Sequence, residues 1–100
     1  MEAYKVVIFP SAQRDMQEIV SYLNTLSLDG ALKYYDLIVS EIAALQTMPE
    51  RHPHPRDLSL AAKGYRYLSV NYYLVFYIVS DGVVQIRRVL YVKRDYLRLL

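Results

Sequence analysis

Three rhythms of apolar residues divide the chain. The run "YKVVIF" at residues 4–9 is continuous, β-branched and aromatic, and it halts at Pro10, which predicts a short strand. From Ser11 the period lengthens. Ala12, Met16, Ile19, Val20 and Leu23 recur at steps of three and four, predicting a helix of about four turns with Ser11 as its N-cap and Arg14, Asp15 and Glu18 on its polar face. "NTLSLDG" interrupts the pattern. Ala31, Tyr35, Ile38, Ile42 and Leu45 then predict a second helix that ends before Pro49, and the two helices form a hairpin.

Periodicity is lost in "MPERHPHPRDLSLAAKG", which holds three of the four prolines and reads as an irregular connection with weak helix around residues 58–63. Three strand-like runs follow: "YRYLSV", "YYLVFYIV" and "VVQIRRVLYV". Asn71 separates the first two, and Ser80-Asp81-Gly82 the last two, with Asp-Gly a strong signal for a tight hairpin. The predicted class is α+β: an N-terminal strand, a helical hairpin and a three-stranded antiparallel meander. These form one sheet packed on the hairpin, within a single domain over residues 1–100. One sheet face is expected to be covered and the other open. In the first meander strand, Tyr65, Tyr67 and Ser69 share one face, and Arg66, Leu68 and Val70 share the other.

A composition of 54% apolar and 22% charged residues excludes disorder, and the absence of cysteine excludes disulfide and thiolate chemistry. The longest apolar run is far short of the ~20 residues a membrane helix needs, and the first residues lack a leader-like pattern, so a cytoplasmic protein with no membrane partner is expected. The net charge of +2 conceals a division. Residues 1–50 hold three basic side chains against seven acidic, leaving −4, and residues 51–100 hold nine against three, leaving +6. The second half therefore suits an acidic or polyanionic partner.

Candidate chemistry concentrates at the end of the last strand, where Arg87, Arg88, Tyr91, Lys93, Arg94, Tyr96 and Arg98 crowd together. Two readings stand open: a binding surface, or a solvated basic edge that keeps the sheet from pairing with itself. The eleven tyrosines suit base stacking between cations, although most are expected to pack in the core and at its rim. His52 and His54, separated by one proline with no cysteine, make a poor ligand set and are read as loop surface, so no metal is expected. With glycine only at positions 30, 64 and 82, no phosphate-cradling loop is recognisable and no cofactor is expected.

Taken together, "AQRDMQEIVSYL", "LKYYDLIVSEIAAL", "MPERHP", "YRYLSVNYYLVFYIV" and "IRRVLYVKRDYLRLL" resemble the RelE/ParE superfamily of bacterial type II toxins over nearly the whole chain. The resemblance implies a growth inhibitor of the kind tied to plasmid stabilization. It also implies a cognate antitoxin that wraps the sheet and hairpin, with higher-order toxin–antitoxin complexes among the expected states. One branch consists of ribosome-dependent mRNA interferases, which cut message with Arg, Lys and Tyr side chains; the ParE-like branch poisons DNA gyrase. Arg94, and Arg66 beside it in kind, match the ribonuclease pattern, with Tyr91 or Tyr96 available as general acid. Tyr65 and Tyr67 flank Arg66 where paired lysines are expected, Leu74 stands near an expected arginine, Val92 replaces a common glycine, and no His-Tyr ending is present.

The ParE-like reading is therefore preferred, with an interferase and an inactive partner-binding module as alternatives. Target-binding residues are expected to be Arg66, Arg87, Tyr91, Lys93, Arg94 and Arg98. The last strand is expected to run to about Tyr91, exposing Lys93 and Arg94 at the sheet edge, since burying them unpaired would cost several kcal/mol. Asp95 is expected to start a helical turn pinned to the core by Leu97 and Leu100.

Overall fold

A computed structural model describes residues 3–100. Strand β1 (Lys5–Ile8) leads into helices α1 (Pro10–Asn24) and α2 (Leu28–Ala43), which form the expected hairpin. Single 3-10 turns at Ala44–Gln46 and Pro49–Arg51 and a short helix α3 (Leu58–Ala62) bridge to the meander of β2 (Tyr65–Val70), β3 (Tyr73–Ser80) and β4 (Val83–Tyr91). One helical turn, α4 (Tyr96–Leu99), follows. The sheet order is β1-β4-β3-β2; β1 runs parallel to β4, and the other pairs are antiparallel.

Local chemistry sets the boundaries. Pro10 occupies the first position of α1 behind an extended Phe9, where its fixed φ suits the helix and its missing N–H costs nothing. Ser11 is therefore inside the helix rather than its N-cap, and its hydroxyl accepts from Arg14 instead. Ser27 does cap α2, accepting from the Gly30 N–H at 3.1 Å, and Asp57 caps α3 through the Leu60 N–H at 3.0 Å. Asp81 and Gly82 both take positive φ (52° and 76°), the conformation a two-residue hairpin requires.

The hairpin packs on one face of the sheet. Met16 and Ile19 of α1 and Ile38 and Ile42 of α2 meet Val75, Tyr77, Val84, Ile86 and Val89. Tyr34 faces this core and donates to the Val70 carbonyl, whereas Tyr35, placed by periodicity in the buried stripe, is 41% exposed. Tyr77 is fully buried and donates to the Pro49 carbonyl, which fastens the connection beneath the sheet.

The other face is not open. Leu60 of α3 packs with Tyr65, Phe76 and Leu90, and Tyr96, Leu99 and Leu100 close over them. Both sides of β2 thus meet apolar neighbours, so the alternation of tyrosines with Leu68 and Val70 does not divide core from solvent. The C-terminal turn is pinned by Tyr96, Leu99 and Leu100; Leu97, expected to anchor it, is 53% exposed, because one turn presents only one side to the sheet.

A bulge sets the phase of β4. Phe76 pairs with Arg88 and Tyr77 with Ile86, leaving Arg87 unmatched. Val84 and Ile86 before the bulge and Val89 after it all reach the hairpin side, and Leu90 turns to the opposite cluster. Beside this bulge β4 loses its neighbour. β1 stops at Ile8 opposite Ile86, so the rest of β4 borders α1 instead of a strand. There Asp15, only 6% exposed, accepts from the Val89 N–H at 2.9 Å and from Nε and Nη2 of Arg88 at 2.7 and 2.9 Å. Arg88 also donates to the Leu99 carbonyl at 3.3 Å, joining α1, β4 and the C-terminal turn.

Three stability measurements test this packing. Asp15→Ala is expected to cost about 3 kcal/mol in urea unfolding, because it strands the Arg88 guanidinium and the Val89 N–H together. Leu97→Ala is expected to stay within about 0.5 kcal/mol of the parent, while Leu90→Ala loses about 3 kcal/mol. Burial pushes the Tyr77 phenol up to about 12. The folded state therefore holds a proton that the unfolded chain releases near pH ~10, so this stability is complete below that pH and is lost as pH rises toward 12. Tyr77→Phe should flatten the decline in unfolding free energy between those limits.

Candidate functional site

A cleft of about 490 Å³ lies along the part of β4 that β1 leaves uncovered. Helix α1 supplies Asp15, Glu18, Ile19 and Tyr22 to one wall; Tyr73, Val89 and Tyr91 form the floor and far wall, and Arg94 closes the end. The helical period places Asp15, Glu18 and Tyr22 on one side of α1, and the bulge turns Val89 and Tyr91 toward them. Without the extra residue, strict alternation would have sent Tyr91 to the opposite face.

The floor is aromatic. Tyr73 stands edge-on between Tyr34 and Tyr91, with ring centroids at 5.5 and 5.9 Å. Burial, and then the neighbouring phenols of Tyr34, Tyr22 and Tyr91, raise its pKa, so Tyr73 stays neutral at physiological pH. Charge sits at the rim, where Glu18 on α1 and Arg94 past β4 are both exposed. Asp15 is already engaged by three donors, and its acceptance of hydrogen bonds from Arg88 raises that guanidinium's pKa against the opposing effect of burial. This part of the cleft is a fixed structural pair rather than a free acid.

The structure separates the predicted site residues into four groups. Tyr91 and Arg94 share the cleft, and Lys93 is exposed in the turn between them, where Arg94 N–H bonds the Tyr91 carbonyl at 2.9 Å. Among the described residues, neither Lys93 nor Arg94 is in an ion pair. Arg98 points away into solvent and pairs with Asp95 at 3.4 Å.

Arg66 and Arg87 are held in place by the fold itself. Nη1 of Arg66 donates to the carbonyls of Glu50 and His52 at 3.0 and 2.7 Å, tying β2 to the connection. Arg87 is held over the rings of Phe9 and Tyr65, at 4.9 and 5.9 Å. Tyr96 lies on the opposite face of the sheet, its ring 5.1 Å from Phe76. Arg66 and Tyr91 are roughly 16 Å apart, taking ~4.8 Å per strand and ~3.3 Å per residue. The four residues proposed for strand scission, Arg66, Arg94, Tyr91 and Tyr96, thus do not converge on one point.

His52 sits edge-on to Tyr77 at 6.4 Å, and burial, then Arg51, lowers its pKa. His54 uses Nδ1 to contact the Tyr65 carbonyl at 2.7 Å. Among the described residues no group of three histidines or carboxylates gathers where a metal ion could sit. Nor is any helix there long and apolar enough to cross a membrane. Sequence reading missed the α1 wall of the cleft. Its signal was present in Asp15, which lies three residues from Ala12 and four from Ile19, on the margin of the apolar stripe rather than on the polar face.

Comparison with known proteins gives two positive findings. The model of the family described as ParE toxin of type II toxin-antitoxin system, parDE, matches residues 6–96. Among solved structures, a chain of "Chromosomal ParDE TA system from P. aeruginosa" superposes with a TM-score of 0.79 at 21% identity, covering 91% of this chain and 98% of that one. At that identity the superposition speaks for the fold. No curated protein gives a significant match. The family match spans every element from β1 to the start of the C-terminal turn, and on that evidence the chain belongs to the ParE toxin family of type II toxin–antitoxin systems.

Proposed function

We propose that this toxin arrests growth by binding DNA gyrase in the cytoplasm, and that a cognate antitoxin neutralises it by covering the cleft beside β4. The observation that carries the reading is Arg94 at the edge of an aromatic cleft with Lys93 exposed beside it, neither ion-paired among the described residues, while the remaining candidate cations are tied into the fold or paired at the surface. Such a surface suits recognition of a macromolecule: a rigid aromatic floor presents area at low entropic cost, and unpaired rim cations set orientation and association rate. It does not supply what strand scission needs. A 2′-hydroxyl, a phosphate and a leaving oxygen lie within a few ångströms of one another, so base, charge stabiliser and acid must converge. A relative's description as a ParDE system supports the antitoxin as partner. Glu18 and Arg94 give such a partner charges of both signs at the rim of the cleft.

Induction in a bacterial host without antitoxin tests the target. Incorporation of labelled thymidine should fall before that of labelled methionine; the reverse order would assign the chain to mRNA cleavage, and undiminished growth to an inactive binding module. Arg94→Ala is expected to weaken gyrase binding about tenfold or more and to relieve growth arrest, with stability within about 0.5 kcal/mol of the parent. Arg66→Ala should instead cost about 1–2 kcal/mol by freeing the Glu50 and His52 carbonyls, and reduce toxicity only through the lower soluble level. Full toxicity of Arg94→Ala at matched soluble expression would remove the cluster from the functional surface.

A further inference from the structure

One side chain of α2 holds the turn between β2 and β3. The hydroxyl of Tyr34 accepts from the Tyr72 N–H at 3.2 Å and donates to the Val70 carbonyl at 3.3 Å, so a single oxygen spans the turn. That turn has reason to be held. In the other hairpin Asp81 and Gly82 both take positive φ, whereas here Asn71 alone does so (52°), and a first position of that kind ordinarily goes to glycine. The ring of Tyr34 also stands edge-on to Tyr73 of the cleft floor, although Tyr34 does not itself line the cleft.

The hold reaches the cations through Tyr72. Its ring is 67% exposed, yet its backbone is fixed twice: the N–H by Tyr34, and the C=O by the Val92 N–H at 2.8 Å. Among the described residues, the Val92–Tyr72 bond is the only backbone hydrogen bond that joins residues 92–94 to any residue outside 91–96. The Arg94 N–H closes the turn locally on the Tyr91 carbonyl. Where Tyr72 sits therefore decides where the segment carrying Lys93 and Arg94 leaves β4.

We propose that Tyr34 is a positioning residue for Lys93 and Arg94, a role that rests on those cations binding the target. Its hydroxyl fixes the Tyr72 backbone, Tyr72 fixes Val92, and the two cations are presented beside the cleft in one arrangement instead of several. Preorganisation of this kind lowers the entropy that a partner must remove on binding. Tyr35, the next residue, is 41% exposed and takes no part in these bonds, which makes it the matched control.

Tyr34→Phe keeps the ring and removes only the hydroxyl. Amide exchange followed by NMR and binding of the folded toxin to purified DNA gyrase read its effect. The Val92 amide should exchange about tenfold faster, with a smaller change at Val75 and Ile86 in the core, and gyrase binding should weaken about fivefold, as expected for one lost hydrogen bond. In a Lys93→Ala/Arg94→Ala background, Tyr34→Phe should weaken binding no further, since the cations it positions are gone. Tyr35→Phe should alter neither reading. The proposal is overturned by an unchanged Val92 amide, by a binding loss that persists undiminished without the two cations, or by full gyrase binding of Tyr34→Phe where Lys93→Ala/Arg94→Ala loses it. If the parent does not bind gyrase, or Lys93→Ala/Arg94→Ala binds it fully, the gyrase reading falls instead, and a faster or an unchanged Val92 amide then upholds or overturns the tether.

Discussion

The carboxylate of Asp15 fastens α1 to the uncovered half of β4 and, through Arg88, to the C-terminal turn. A sheet whose first strand is four residues long and pairs with the start of a nine-residue strand must leave about half of that strand's outer edge without a strand partner. Exposed strand edges recruit other chains, and buried unpaired N–H groups are costly. Here a helix does the work of the missing strand: Asp15 takes the Val89 N–H and, with the same oxygens, neutralises Arg88. A pair of this kind contributes little if both members are replaced by apolar groups and costs much if one is removed, so its value is as much geometric as energetic. It fixes the distance between α1 and β4, and that distance is the width of the cleft.

Once this join is made, the surrounding features follow from it. The bulge at Arg87 brings Val89 and Tyr91 to the helix side, where the carboxylate can reach the backbone. It also sends Arg88 around the strand edge to the Leu99 carbonyl, so the last residues of the chain fold back over Phe76 and Leu90. The C-terminal turn is thereby held on one face of the sheet while the preceding residues, Lys93 and Arg94, remain free at the other side of the edge. Arg87 and Arg88, which serve the fold, and Lys93 and Arg94, which are available to a partner, come from one eight-residue stretch, 87–94, and differ in whether an acceptor or a ring lies within reach.

The two exposed surfaces differ in character. The cleft beside β4 is aromatic and bordered by charges of both signs, whereas the outer side of α2 is aliphatic with one tyrosine.

The element order, the hairpin, the meander and its Asp81-Gly82 turn were legible in the sequence, because each rests on local rules: periods of 3.6 and 2, a proline stop, a turn needing positive φ. The family could be read as well, since its likeness runs through that same element order. The sequence also placed Lys93 and Arg94 in the open, because burying two unpaired charges would cost several kcal/mol. Which arginines were spoken for was not legible. Arg66 finds its acceptors 14 and 16 residues away, and Arg88 finds Asp15 at a separation of 73. No local pattern announces the bulge at Arg87, which reverses the facing of every later residue of β4 and so decides that Tyr91 enters the cleft. Nor does periodicity distinguish Tyr34 from Tyr35, adjacent residues of one type, until packing against Val70 and Tyr73 selects one for the core. Secondary structure follows from contacts a few residues apart, which the sequence displays. The site follows from contacts dozens of residues apart, and the enthalpy of those pairings, rather than any preference of the residues themselves, settled where each charge and ring came to rest.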